Sequence, residues 1–301
     1  MPGAYCFIEY GGPETQQLLE RPMPTPGPGQ LLVAVRAAGV NPADWKVRSG
    51  ARRATVPVTF PAVLGREVSG VVTGVGEGVS GFSVGDAVFG ATATGFGGYA
   101  EYTLTDASST ALKPSAVSFA DAAVIPVAIG TAYDALTQLD LRAGSTLLVV
   151  GAGGGTGQSM LQLAALRGVS VTGVAGSAKR ELVESLGATW VESGQHLLSR
   201  IPGTVDAVFD AVGADLSALV TLVTDPKQLI SIGNTTGAQE LGGSGVTRRR
   251  TSEVFTEIAA LVAASKVDPH VTARLPLSRA GEALALVESG HSTGKVVIEV
   301  S

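Results

Sequence analysis

Residues 146–157 constrain the fold more than any other stretch. Thr146-Leu-Leu-Val-Val150 is a short apolar run rich in β-formers. It passes directly into Gly151-Ala-Gly-Gly-Gly-Thr-Gly157, after which Gln158 to Arg167 reads as a helix. A strand that ends in glycines and opens a helix suits a phosphate-binding turn. Positions without a Cβ permit the tight turn, and the N–H groups at the helix start face a pyrophosphate. The run does not fit G-x-G-x-x-G, because residue 156 is Thr, but it places glycines at 151, 154 and 157. A loop that binds nothing has the same composition; the position between strand and helix is what favours a cofactor.

The surrounding rhythm agrees. Val169–Val174, Val205–Asp210 and Gln228–Ile232 read as further strands, with a helix over Ala178–Leu186 between the first two. Such alternation predicts βαβ units and a parallel sheet. The first 120 residues read differently, as short strands broken by Gly and Pro: Leu31–Ala37, Val68–Val75, Asp86–Phe89 and Tyr99–Leu104. The texture changes near Ser118, a helix cap with Asp121 in the first turn. After a helix over Ser252–Ala264 come a helix over Leu277–Val287 and an alternating strand over Lys295–Val300. This tail is expected to rejoin the first domain, so residues 1–120 and 266–301 form one domain and 121–265 a nucleotide-binding insertion.

Composition excludes several classes. Net charge is −5, which argues against a general nucleic-acid surface. The one basic run, Arg248-Arg249-Arg250, is expected to be a solvated loop before a helix. Cys6 is the only cysteine, so there is neither a disulfide framework nor a cysteine-based metal site. His196, His270 and His291 share no ligand spacing and are assigned surface or capping roles. The N-terminus lacks the pattern of a signal peptide, and the best apolar run, Ala122–Ile129, is short and contains Pro126. No membrane or nucleic-acid partner is expected, and a cytoplasmic location is.

The end of the second Rossmann strand bears on the cofactor. An NAD enzyme carries an acidic residue about 20 residues beyond the loop, on the ribose 2′-OH. Here Val171-Thr-Gly-Val-Ala-Gly-Ser-Ala-Lys-Arg180 has no acid before Glu181, while Ser177, Lys179 and Arg180 offer donors and positive charge for a 2′-phosphate. The alternative is that both cations decorate an exposed helix start, an unfavourable placement beside a positive helix end. NADPH is the expected cofactor.

Four segments, in order, resemble the medium-chain dehydrogenase/reductase superfamily in its zinc-free, quinone oxidoreductase branch. They are Ala38-Gly-Val-Asn-Pro-Ala-Asp-Trp-Lys-Val-Arg-Ser-Gly50, Gly65-Arg-Glu-Val-Ser-Gly-Val-Val72 leading to Gly85-Asp86, Gly130-Thr-Ala-Tyr133, and the Gly151–Gly157 turn. Gly294-Lys-Val-Val297 also fits. The resemblance implies an α/β protein, a Rossmann doubly wound parallel sheet plus an irregular β-rich, GroES-like catalytic domain, working as a homodimer. Zinc enzymes of the superfamily ligate metal from segments that here hold Asn41 and Arg66, so no metal is expected. The resemblance places the cofactor in a cleft between the domains. Asn41 and Thr131 would lie near the nicotinamide, and Gly151, Gly154, Gly155, Thr156 and Gly157 around the pyrophosphate. Ser177, Lys179 and Arg180 would lie at the adenosine phosphate, Ile232, Gly233 and Asn234 by the nicotinamide ribose, and Lys295 would support the cofactor from the tail. Many relatives have a tyrosine where this chain has Lys46, and the Asp-Trp-Lys form resembles a sub-branch reducing activated C=C bonds. The tyrosine often found after the third Rossmann strand is missing from Val191-Glu-Ser-Gly194.

Without a metal, the expected chemistry is hydride transfer from NADPH to a small acceptor that is already electron-poor, a quinone or an α,β-unsaturated carbonyl. Asn41 and Lys46 are the candidate donors to the developing oxyanion; a snorkelling surface lysine is the other reading of Lys46. Two rivals stand beside this: an enoyl-thioester reductase, and an NADPH-binding protein without turnover.

Overall fold

Glycine-punctuated strands close on themselves in the N-terminal part of the chain. The computed structural model describes residues 1–201, 203–290 and 292–301; the role expected for His291 lies outside the described residues. There are two units, Met1–Val127 with Arg250–Ala263 and Pro269–Ser301, and Ala128–Arg249 with Ala264–Asp268. In chain order the first begins with strands β1 (Gly3–Phe7), β2 (Gln16–Glu20) and β3 (Gln30–Val40), helix α1 (Pro42–Arg48), and strands β4 (Ala62–Val63), β5 (Glu67–Val75), β6 (Ala87–Thr92) and β7 (Tyr102–Leu112). β3 pairs antiparallel with both β5 and β7, and β6 joins those two, so four strands form a ring. Closure removes open edges. Leu31, Val33, Val72 and Val88 pack together, as period-2 alternation directs. β1 lies between β2 and β4 in a separate small sheet.

Helix α2 (Phe119–Ala122) is capped by the Ser118 hydroxyl, which accepts from the Asp121 N–H at 3.1 Å. The apolar run read as short, Ala122–Ile129, lies within a longer helical stretch. A π-turn over Ile125–Ile129 accommodates the proline, and the helical run continues through α3 (Gly130–Leu139). Phe119–Leu139 thus has the length and composition of a bilayer-crossing helix, yet 78% of its most apolar window is buried inside the fold.

The second unit continues with β8 (Thr146–Val150), α4 (Gly155–Leu166), β9 (Ser170–Ala175), α5 (Arg180–Ser185), β10 (Thr189–Glu192), β11 (Ala207–Asp210), α6 (Leu216–Leu219), β12 (Leu229–Ser231) and α7 (Thr235–Glu240). All five strands are parallel, in the order β10-β9-β8-β11-β12. β8 is apolar on both faces because both are covered; Leu147, Leu148, Val149 and Val150 are all buried. The order reverses between β8 and β11, and a crevice for ligands opens beyond the carboxyl ends of strands at such a point.

The chain then returns to the first unit through α8 (Ser252–Ala263), β13 (Val271–Pro276), α9 (Ala280–Glu288) and β14 (Lys295–Glu299). β14 runs antiparallel beside β3 and β13 parallel beside β14. The first unit takes in residues 121–127 and 250–263, expected in the nucleotide-binding insertion, while 264–268 lie with the second. Packing explains both shifts. Ala123 and Val124 are buried with Ala37 and Val297, and Phe255 of α8 lies against Phe89 with ring centroids 6.1 Å apart.

Candidate functional site

In the second unit the glycine turn is built for close approach. Gly151 has φ of +89° and its N–H donates to the Val174 carbonyl at 3.0 Å. A methyl at Gly157 would run into the Gly151 carbonyl and lie 2.8 Å from the Ala152 Cα, so that glycine is required by the fold itself. Gly154 is different. It caps α4 in an ordinary extended conformation, and a methyl there would meet nothing nearer than the Gly151 carbonyl at 3.5 Å. Nothing in the chain demands a glycine at 154; a ligand lying on the turn would. No side chain caps this helix, so its first-turn N–H groups, including those of Gly155 and Thr156, are left to face outward. The arrangement fits a pyrophosphate.

β9 ends at Ala175 without an acid, followed by a 3₁₀ turn over Ser177–Lys179, where a helix start had been expected. The Lys179 side chain crosses the glycine turn, its Cγ 2.8 Å from where a Cβ on Gly153 would stand, and burial lowers its pKa. Ser177 is exposed on the same turn. Arg180 is held elsewhere, by Glu184 at 2.9 Å and by the Trp190 ring at 5.2 Å. Sequence reasoning found no ring in this region because it looked one residue too far along β10.

At the carboxyl end of β12, Ile232 donates its N–H to the Asp210 carbonyl at 2.9 Å. Asn234 caps α7, its Oδ1 accepting from the Gly237 N–H at 3.0 Å. A buried carboxylate missed in the sequence organises both loops. Asp210 accepts from the Ser231 hydroxyl (2.6 Å) and from the N–H groups of Val212 (3.2 Å), Gly213 (2.9 Å) and Ala214 (3.3 Å). Its signal was an acid ending a buried apolar strand. Thr131 is buried on α3, where its hydroxyl accepts from Arg248 Nε at 3.3 Å. Arg249 pairs with Asp134 at 2.9 Å. The arginine run is therefore anchored to α3 rather than merely solvated.

In the first unit, Asn41, Glu67 and Lys295 form a buried polar cluster. Asn41 Nδ2 donates to Glu67 Oε1 at 2.8 Å, and Lys295 Nζ donates to Asn41 Oδ1 (2.6 Å), the Val40 carbonyl (3.1 Å) and Glu67 Oε1 (3.3 Å). Glu67 is 0% exposed, Asn41 4% and Lys295 5%. The other carboxylate oxygen, Oε2, accepts from the Val127 N–H at 2.7 Å, an amide turned out of the helix by the π-turn. An ammonium has three donors, and all of Lys295's are spent inside the chain. Lys295 is thus engaged within the chain, and the Asn41 carboxamide is held at both ends. Glu67 was not foreseen.

α1 begins at this cluster. Pro42 occupies its first turn, and the Asn41 N–H donates to Asp44 Oδ2 at 2.9 Å. Tyr99 OH donates to the same oxygen at 2.8 Å. Asp44 is buried, which raises its pKa to about 6, against the opposing effects of Tyr99, the Asn41 N–H and Arg66. Burial and the Asp44 charge push Tyr99 well above the ordinary phenol range. Lys46 is half-buried on α1 with Nζ 5.6 Å from the Trp45 ring, and it makes no hydrogen bond or ion pair among the described residues. Asn41 and Arg66 do not fit a zinc ion: the carboxamide is held at both ends, and a guanidinium repels a cation. Among the described residues no group of three or more His, Cys, Asp or Glu is placed to hold a metal. His196 is exposed, its carbonyl accepting from Ser199, and the His270 carbonyl accepts the Lys295 N–H at 2.9 Å.

Comparisons agree with this architecture. Residues 27–115 match the alcohol dehydrogenase GroES-like domain, and 181–298 match the zinc-binding dehydrogenase domain. The chain is 33% identical over 308 residues to the NADPH-dependent alkenal/one oxidoreductase, chloroplastic, of Arabidopsis thaliana, covering 98% of this chain and 78% of that protein. It is 30% identical to the quinone oxidoreductase of Homo sapiens, covering 98% and 97%. The structure of the quinone oxidoreductase from Coxiella burnetii superposes with a TM-score of 0.91 at 29% identity, covering 100% of this chain and 99% of that one. The chain belongs to the medium-chain dehydrogenase/reductase superfamily, in its quinone-oxidoreductase-like group.

Proposed function

We propose that this protein is an NADPH-dependent reductase that transfers hydride, without zinc, to a quinone or an α,β-unsaturated carbonyl. The observation that carries the reading is Lys179 lying across a glycine turn whose Gly154 the chain itself does not require, beside a β9 end that lacks an acid. The names of its relatives point the same way.

Bound NADPH supplies the hydride. The N–H groups of Gly155, Thr156 and Gly157 hold the pyrophosphate, and Lys179 with Ser177 holds the 2′-phosphate; Ile232 and Gly233 border the ribose. Conjugation in the acceptor spreads the incoming negative charge onto its oxygen. Lys46, whose ammonium has no acceptor among the described residues, donates to that oxygen, and solvent completes the protonation. Asn41 acts as a positioning residue, fixed by Glu67 and Lys295 so that α1 starts where Lys46 is needed.

Titration with both reduced coenzymes tests the cofactor. NADPH is expected to bind more tightly than NADH, and Lys179→Met to weaken NADPH at least about tenfold while leaving NADH nearly unchanged. Equal binding of the two coenzymes by the wild type removes the 2′-phosphate assignment. Turnover is tested with a panel of quinones, small enones and enoyl thioesters; tight NADPH binding with no oxidation on any of them turns the reading into a binding protein.

A further inference from the structure

Arg66 is a partly buried cation with no hydrogen-bond acceptor among the described residues. Its Nε is shielded from solvent and has no hydrogen-bond partner. No carboxylate lies within ion-pair distance of its guanidinium among the described residues, and its Nη2 lies 3.9 Å from where a Cβ on Gly95 would stand. The nearest acid by electrostatic influence is Asp44, but Asp44 Oδ2 is already occupied by Tyr99 OH and the Asn41 N–H, and its Oδ1 is buried without a partner. A guanidinium N–H withdrawn from water without an acceptor is costly, and the cost falls where a ligand supplies the anion.

A second cation shares this wall. Arg52, half-buried just beyond α1, has its pKa lowered by burial and by the Arg66 charge and raised by Asp44, so the two guanidinium groups feel each other and the same carboxylate. Arg52 has no carboxylate partner either among the described residues. Lys295 neutralises Glu67 next along the chain, so that acid does not serve Arg66. Two arginines against one carboxylate leave the wall with a surplus positive charge, beside the residues assigned above to the acceptor.

We propose that Arg66, assisted by Arg52, receives an anionic group, a carboxylate or a phosphate, carried by the acceptor. The planar fork of an arginine is suited to either. The electron-poor substrate is then an acid, such as a 4-oxo-2-alkenoate, or a phosphorylated thioester, rather than a neutral quinone or enone. This rests on the reductase reading and narrows its substrate class.

The experiment measures kcat/KM for matched pairs. One pair is a 4-oxo-2-alkenoic acid and its methyl ester; the other is an enoyl thioester of phosphopantetheine and the same thioester of pantetheine. The anionic member of one pair is expected to be preferred about ten- to hundredfold by the wild type. Arg66→Gln is expected to bring that ratio toward one, Arg66→Lys to retain part of it, and added salt to erode it. Which pair shows the preference distinguishes carboxylate from phosphate. In the unaltered protein, the saturated analogue of the preferred acid is expected to inhibit competitively and its uncharged form not to, a readout independent of how the variants fold. Equal ratios in both pairs, or a preference that Arg66→Gln leaves intact, overturn the inference while neutral acceptors still turn over. Failure of every acceptor strikes the reductase reading instead.

Discussion

Replacing Asp44 with Asn tests the electrostatics of the first unit directly. The carboxyl is fully buried and its pKa stands at about 6 against an ordinary value of 3.8. Between those two values the folded chain keeps a proton that the unfolded chain has released. Stability therefore falls as pH rises through that window, and is level above and below it. A shift of about two units corresponds to roughly 3 kcal/mol. Asn can still accept from Tyr99 OH and from the Asn41 N–H, but carries no such pH term. The wild type and Asp44→Asn are to be unfolded in urea at a series of pH values from 4 to 8. The chain has two tryptophans, and in a Trp190→Phe background the fluorescence of Trp45, adjacent to Asp44, reports the first unit alone. The variant is expected to gain on the wild type by about 3 kcal/mol between pH 4 and 6, then hold a constant difference. A flat difference, or one that moves the other way, would show that Tyr99, the Asn41 amide and Arg66 outweigh burial, and would refute the reasoning.

Three further outcomes are expected. Gly154→Ala leaves the stability of the second unit within about 0.5 kcal/mol but weakens NADPH at least about tenfold, whereas Gly157→Ala destabilises the unit by about 1–3 kcal/mol; calorimetry and coenzyme titration separate the two. Lys295→Met strands the Glu67 carboxylate in the interior and costs about 3–5 kcal/mol, much of which Glu67→Gln restores in the double variant, as measured by urea midpoints. Ser231→Ala removes one of the two donors to Asp210 Oδ2 and leaves the Asn234 N–H without its partner, costs about 1–3 kcal/mol, and weakens NADPH by loosening residues 232–234.

What was legible in the sequence was whatever has a local signature. Thr146–Val150 and its glycine turn were read with their true limits, because an apolar run between breakers is a self-contained signal. Ser118 announced its cap in the same way. The small sheet of β1, β2 and β4 was missed, since two- to five-residue strands are fixed by partners far along the chain. The run around Pro126 was read as short, and only the tertiary use of the Val127 amide by Glu67 shows why the helix widens there and carries on. The site divides along the same line. Gly151–Gly157 and Lys179 were singled out from local pattern, as candidates. The internal commitment of Asn41 and Lys295 was invisible, because they lie 26 and 228 residues from Glu67 in sequence.

β14 is the strand that completes the first unit, yet it is the last to be made. It covers the flank of β3 and brings the cation that neutralises Glu67. On a ribosome, everything before it emerges with that carboxylate uncompensated and that flank bare, while the entire nucleotide-binding unit is synthesised in between. The nucleotide unit thus has its whole sequence available before its host can finish folding, and a nascent chain halted short of Lys295 would present an unpaired strand and an unneutralised acid to whatever surveys newly made proteins.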